Sequence, residues 1–133
     1  MISSASTPVQ HLAARLLDRP DEIVAAREPL IASLSERRDL LAAALETVPA
    51  TNAFLADPFH GGLFALLHLR TGNAERAAQR LLDEHAIGVV PFHDAGRGLE
   101  ALRITYATLP PERVASVVES ATAVVTGGRK VDS

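Results

Sequence analysis

"EALRITYATLPPERVASVVES", residues 100–120, decides the fold of this chain, because a strand pattern is followed at once by the start of a helix. Apolar and polar residues alternate over residues 102–107, which predicts a half-buried strand. Its buried face is expected to carry Leu102, Ile104 and Tyr106. A helix is predicted directly afterwards, since two prolines and Glu112 form a typical first turn and a stripe of valines follows. Arg103 is therefore a lone guanidinium on the polar face of a strand.

The residues upstream of this strand predict two further strands and a helix. "GGLFALLHL", residues 61–69, is a short continuous apolar run, as in a buried strand. Asn73 is the expected N-cap of a helix over residues 74–86. The inward face of that helix would carry Ala77, Ala78, Leu81 and Leu82. The residues that follow predict a short strand over 89–91 and a polar, glycine-containing loop over 92–98.

The N-terminal third of the chain predicts helices only. Thr7 is the expected N-cap of the first helix, with Pro8 at its first position. The chain breaks at Pro20, and an apolar stripe from there to Val48 predicts a second, long helix. Pro29 lies within this stripe and is expected to kink the helix or divide it in two, because proline lacks the N–H donor and clashes with the preceding turn.

The order of these elements predicts the fold class. Helices come first, followed by strand, helix, strand, strand and helix. This order is typical of an α+β domain, close to α/β, with a small sheet of about three strands backed by helices and an N-terminal pair of helices. The chain has 133 residues, and we expect one domain over residues 1–126 and a frayed tail over residues 127–133.

The composition excludes several classes of function. The chain has no cysteine, which excludes thiolate metal sites and cysteine nucleophiles and is compatible with a reducing cytoplasm. A net charge of −3 argues against general nucleic-acid binding, which needs a basic face. No apolar run approaches the roughly 18 residues of a membrane span, and residues 1–10 lack the pattern of a secretory signal. We therefore expect a cytoplasmic protein without nucleic-acid or membrane partners.

Two interpretations of Arg103 follow from its chemistry. A guanidinium stays charged, presents a planar fork that matches a carboxylate, and is costly to bury without a partner. Arg103 could face solvent on the open side of the sheet or pair with an internal carboxylate, since arginine is mostly exposed unless it is paired. Alternatively, it could point into a cleft and bind an anion, most simply the carboxylate of a ligand.

The histidines predict no metal site. None of the five has the spacing of metal ligands. His68 falls in the apolar strand and is expected to be a hydrogen-bonded residue of the core or of a cleft. His60 and His93 fall in predicted loops and are candidates for lining a cleft. The glycines match no phosphate-binding motif.

Five segments together resemble the C-terminal part of the class I/II aminotransferases, the pyridoxal-phosphate enzymes of fold type I. In chain order they are "STPVQHLAARLL", "SERRDLLAAALE", "GGLFALLHL", "LLDEHAIGVVP" and "LRITYATLPPERV". In the same order, they are similar to five regions of these enzymes: the segment after the cofactor lysine region, part of the long connecting helix, a strand of the small domain, a helix-turn-strand, and the strand whose arginine binds the substrate together with the helix after it. The resemblance covers nearly the whole chain.

The resemblance implies that Arg103 binds the α-carboxylate of an amino acid or 2-oxo acid, because a rigid strand can hold a bidentate clamp in place. It also makes Phe64, His60 and His93 candidates for lining the substrate cleft. The chain departs from the family at "PFHD", residues 91–94, where the family usually has glycine after the proline. This departure implies altered substrate contacts in that loop.

The resemblance also implies that the chain is incomplete as a catalyst. The family holds pyridoxal phosphate as a Schiff base on a lysine of the large domain, whereas the single lysine here, Lys130, falls in the expected tail. We expect no cofactor and no transamination with this chain alone, homo-oligomerisation, and a partner that supplies the cofactor-binding half. The alternatives are a free-standing α/β ligand-binding or interaction module and a degenerate relic without activity.

Overall fold

The computed structural model describes residues 6–127, apart from the side chain of Val48. The helices and strands of this range are α1 Thr7–Leu17, α2 Pro20–Leu45, α3 Val48–Ala53, β1 Phe54–Ala56, β2 Phe64–Leu69, α4 Ala74–His85, β3 Val90–Asp94, β4 Leu99–Thr105 and α5 Pro111–Thr126. A short 3-10 turn, Tyr106–Thr108, follows β4. The chain divides into two compact units, one ending at Ser33 and the other beginning at Leu34. The expected tail lies outside the described residues, except for Gly127.

The first unit contains α1 and the beginning of α2. The N-cap of α1 is Ser6, one residue before the predicted position, and a proline fits the first turn because the first N–H groups of a helix have no acceptor within it. The apolar residues of α1 are more than half exposed: Val9, Leu12, Leu16 and Leu17. Helix α2 continues through Pro29, so of the two expected outcomes, a kink or a division into two helices, the division does not occur.

The second unit is an α+β structure around one sheet. The sheet has four strands in the order β1-β2-β4-β3, and all neighbouring strands are antiparallel. The sequence predicts about three strands because it does not reveal β1. This strand has three residues, which is too short to show an alternating pattern. Helix α3, which begins close to Pro49, was also not predicted as a separate element.

The predicted loop over residues 92–98 is wrong in its first half. Residues 92–94 belong to β3, which pairs with β4 at the edge of the sheet. An edge strand needs few apolar residues and tolerates a proline, so its sequence looks like that of a loop. The turn itself is tightened by Asp94, whose Oδ1 accepts the backbone N–H groups of Gly96 and Arg97 at 3.0 and 3.2 Å. Gly98 closes the hairpin with a φ of +62°, which favours glycine.

The helices of the second unit cover one face of the sheet and form the core with it. The predicted burial of Leu102, Ile104 and Tyr106 is confirmed, because all three are at most 2% exposed. The strand itself spans Leu99–Thr105 instead of the predicted residues 102–107, and Tyr106 begins the 3-10 turn. The three buried residues pack with residues of β2, α4 and α5, among them Leu67, Leu81, Val114 and Val118. The predicted N-cap of α4 is also confirmed, since Asn73 Oδ1 accepts the backbone N–H of Arg76 at 2.9 Å. In the described range, no helix is long and apolar enough to cross a membrane.

Candidate functional site

Arg103 lies on the face of the sheet opposite the core. It stands on β4 between Leu102 and Ile104, which are buried, so the alternation of the strand directs its side chain to the other side. Its cross-strand partners are Leu66 on β2 and Val90 on β3. Because β4 is hydrogen-bonded to a strand on each side, the backbone of Arg103 is held rigidly. We call the surface formed by these outward-facing residues of the four strands the open face.

The guanidinium of Arg103 lies over an aromatic ring. Its central carbon lies 4.7 Å from the centroid of the Phe64 ring. A guanidinium in such a cation–π contact can still donate its N–H groups to a carboxylate, since the ring provides no charged acceptor. The ion pairs formed among residues 6–127 do not include Arg103. The arginine therefore lies on the open side of the sheet, not in an internal ion pair of the described residues.

The rest of the open face is largely apolar. Its side chains that are about half exposed are Leu55, Phe64, Val90 and Phe92. Ala101 lies between Phe92 and His68 across the strands and is fully buried beneath its larger neighbours. Exposed apolar side chains grouped on one face are typical of a contact or ligand-binding surface.

The open face also carries a hydrogen-bonded pair of titratable side chains. His68 Nε2 lies 2.9 Å from Asp57 Oδ2, and His68 Nδ1 is buried without a hydrogen-bond partner. His68 pairs with Ala101 across the strands, which makes it a diagonal neighbour of Arg103. The prediction that His68 is a hydrogen-bonded residue is confirmed. Asp57 was missed because its proximity to His68 depends on the pairing of β1 with β2, which the sequence does not reveal.

His93 is not brought together with Arg103. It pairs with Glu100 across the β3–β4 hairpin, on the face of the sheet that the helices cover, with 2.5 Å between His93 Nδ1 and Glu100 Oε1. Glu100 Oε2 also accepts the backbone N–H of Ala74 at 2.6 Å. The hydrogen bond from Ala74 and then that from His93 lower the pKa of Glu100 below its ordinary value. This group connects the hairpin to the start of α4.

His60 lies exposed in the loop between β1 and β2. Its carbonyl oxygen accepts a hydrogen bond from Arg38 Nη1 at 3.3 Å. The same loop is held at the end of β4, because the Tyr106 hydroxyl donates to the carbonyl oxygen of Gly62 at 2.8 Å. Phe64 is the first residue of β2 after this loop, and it pairs with Thr105 at the C-terminal end of β4. The loop therefore precedes the phenylalanine that contacts Arg103.

The comparison with known proteins identifies the family. The sequence model of the family "Aminotransferase class I and II" matches residues 1–120. The chain belongs to the class I and II aminotransferases. This confirms the resemblance found in the five sequence segments. No curated protein sequence matches this aminotransferase chain.

Three solved structures are similar to this aminotransferase chain. The α-aminoadipate aminotransferase of Thermus thermophilus, complexed with N-(5′-phosphopyridoxyl)-L-leucine, is 27% identical with a TM-score of 0.68, over 89% of this chain and 30% of that one. An aspartate transaminase of Corynebacterium glutamicum is 20% identical with a TM-score of 0.67, over 85% and 28%. An archaeal alanine:glyoxylate aminotransferase is 20% identical with a TM-score of 0.64, over 73% and 24%. The predicted α+β fold is confirmed, and the chain spans less than a third of each structure.

The described residues do not fit the covalent attachment of pyridoxal phosphate. Residues 6–127 include no lysine, so this range offers no side-chain amine that could form an imine with the cofactor aldehyde. Lys130, the single lysine, lies outside the described residues. Within the same range, no group of three or more histidine, aspartate or glutamate side chains is placed to hold a metal ion.

Proposed function

We propose that this chain acts as the C-terminal part of an aminotransferase-like protein, in which Arg103 binds the α-carboxylate of an amino acid or 2-oxo acid. The observation that carries the proposal is the position of Arg103, on an interior strand and on the open face. Its guanidinium edge is not used by a carboxylate of the described residues. A guanidinium and a carboxylate form two parallel charge-assisted hydrogen bonds, which set both position and orientation of the ligand.

The apolar residues of the open face favour this interaction. Leu66 and Val90 flank Arg103 across the strands and provide no competing acceptor in their side chains. Once a ligand or another part of the protein covers this face, water is excluded and the ion pair becomes stronger. The amino acid or 2-oxo acid class is further supported by the Thermus structure, whose ligand joins a phosphopyridoxyl group to L-leucine.

Catalysis in this proposal requires a second component. When bound, pyridoxal phosphate would supply the electron sink for transamination, and the lysine that holds it would come from outside residues 6–127. Arg103 would contribute by binding and orienting the substrate. We propose that the isolated chain does not transaminate and that it associates with a cofactor-binding half, with assembly into a homo-oligomer. The exposed apolar residues of α1 support such an association. A cytoplasmic location belongs to the same proposal.

The proposal is tested by titrating the 133-residue chain with 4-methyl-2-oxopentanoate and observing the arginine Nε–Hε resonances by NMR. We expect a saturable shift of the Arg103 resonance with the acid and none with its uncharged amide. The variant Arg103→Gln should bind the acid about tenfold more weakly or worse, as expected for loss of a bidentate charged contact. Arg97→Gln is the matched control, because Arg97 lies 78% exposed in the β3–β4 turn.

Binding that is unchanged in Arg103→Gln would overturn the proposed role of Arg103. Binding of the acid and the amide with equal affinity would also overturn it, since the carboxylate would then not be recognised. Binding that depends on Arg103, with no activity after addition of any cofactor-binding half, would favour the free-standing ligand-binding module instead.

A further inference from the structure

Arg103 has two phenylalanines as diagonal neighbours on the open face, and its guanidinium lies over one of them. Phe64 pairs with Thr105 on β4, and Phe92 pairs with Ala101, so each lies two residues from Arg103 in register. Both side chains are 45% exposed. The stack with 4.7 Å between guanidinium carbon and ring centroid is formed with Phe64. The guanidinium therefore lies over only one of two phenylalanine rings that are similarly placed beside Arg103 in the described residues.

We propose that Phe64 is a positioning residue that holds the flat face of the Arg103 guanidinium, so that the N–H edge is presented to a ligand carboxylate. This inference rests on the proposed function of Arg103. An arginine side chain has many rotamers, and ordering them on binding reduces affinity. A guanidinium that is already ordered against a ring loses less conformational entropy when a carboxylate binds.

The two interactions of Arg103 do not compete for the same part of the side chain. When an arginine stacks on an aromatic face, the ring contacts the π face of the guanidinium, whereas a bidentate carboxylate binds in the guanidinium plane through two N–H groups. The ring can therefore remain in place while the ligand binds.

The position of Phe64 is itself set by two neighbouring constraints. Its backbone is paired with Thr105 on the interior strand β4. The loop before it is held by the hydrogen bond from the Tyr106 hydroxyl to the Gly62 carbonyl oxygen, at 2.8 Å. Phe92 likewise pairs with one residue of β4, Ala101. The hydrogen bond to the Gly62 carbonyl oxygen is therefore the constraint that acts on Phe64 in addition to its strand pairing.

The inference is tested in the full 133-residue chain with the variants Phe64→Leu, Phe64→Tyr and Phe92→Leu. The first removes the ring and keeps apolar bulk, the second keeps a ring, and the third removes the matched ring that carries no stack. We expect Phe64→Leu to abolish the ring-current shift of the Arg103 side-chain protons. It should weaken binding of 4-methyl-2-oxopentanoate about threefold to fivefold, the change that corresponds to a surface cation–π contact. Phe64→Tyr and Phe92→Leu should stay within about twofold of the wild type.

Three results would overturn the positioning role. The first is equal affinity of Phe64→Leu and wild type, and the second is an equal loss in Phe92→Leu. The third is a wild-type Arg103 resonance without a ring-current shift. A wild-type chain whose Arg103 is stacked but binds no acid would instead contradict the proposed function, so the two failures are distinguishable. The backbone amide spectrum of each variant checks that the fold is retained.

Discussion

The backbone N–H of Ala74 donates a hydrogen bond of 2.6 Å to the carboxylate of Glu100. Ala74 is the first residue of α4 and Glu100 lies on β4, so the contact connects the start of a helix to the sheet. His93 on β3 binds the other carboxylate oxygen at 2.5 Å. One carboxylate therefore links three elements on the covered face of the sheet, and these contacts favour its charged form.

This contact makes the stability of the fold depend on pH. The hydrogen bond from Ala74, followed by that from His93, lowers the pKa of Glu100 in the folded state below its ordinary value of 4.5. A lowered pKa stabilises the fold above the pKa of the unfolded state, and this contribution disappears as the pH falls through the folded-state pKa. We expect the difference in unfolding free energy between wild type and Glu100→Gln, measured with urea, to be largest near neutral pH and to shrink below about pH 4.5. A difference that is the same at both ends of this range would contradict the assignment.

Adjacent leucines on α4 should differ strongly in their effect on stability. Leu81 is fully buried, whereas Leu82, which the sequence pattern placed on the inward face, is 54% exposed. We expect Leu81→Ala to reduce the free energy of unfolding by about 2–5 kcal/mol, because it leaves a cavity in the core. Leu82→Ala should change it by no more than about 0.5 kcal/mol. Chemical denaturation of the two variants measures both values, and similar losses would show that the face of α4 is assigned wrongly.

Ala86 offers a stabilising substitution. It ends α4 in the left-handed region, with a φ of 55°, although it carries a Cβ. This conformation costs a non-glycine residue roughly 1–2 kcal/mol, and the gain with glycine is partly offset by the greater freedom of glycine in the unfolded chain. We expect Ala86→Gly to raise the free energy of unfolding by about 0.5–1 kcal/mol. Ala115→Gly within α5 is the control, and it should lower stability by about 0.5–1 kcal/mol. Destabilisation by both substitutions would contradict the left-handed cap.

The hydroxyl of Tyr106 should stabilise the loop that precedes Phe64. Tyr106 is 1% exposed and donates a 2.8 Å hydrogen bond to the carbonyl oxygen of Gly62. We expect Tyr106→Phe to reduce the free energy of unfolding by about 0.5–1.5 kcal/mol and to increase amide hydrogen exchange in the loop. Ser116→Ala removes an exposed hydroxyl on α5 and should have little effect on either measurement. Unchanged exchange in the Tyr106 variant would show that the hydroxyl does not hold the loop.

The parts of the fold that the sequence predicted well are those specified by local patterns. The buried face of β4 follows from strict alternation around Arg103, and the N-cap of α4 follows from one asparagine before a helical stripe. Strands β1 and β3 were missed in whole or in part because they are short or lie at an edge, where few residues need to be apolar.

The sequence by itself determined that Arg103 would lie on the non-core side of a strand, because side-chain direction in a strand alternates with every residue. Only the tertiary structure decided which residues accompany it there. Cross-strand register places Phe64 beside Arg103 and His68 beside Asp57, and it turns His93 to the opposite face with Glu100. The physical reason is that register depends on contacts between residues far apart in the chain, and a shift of one residue would exchange the two faces.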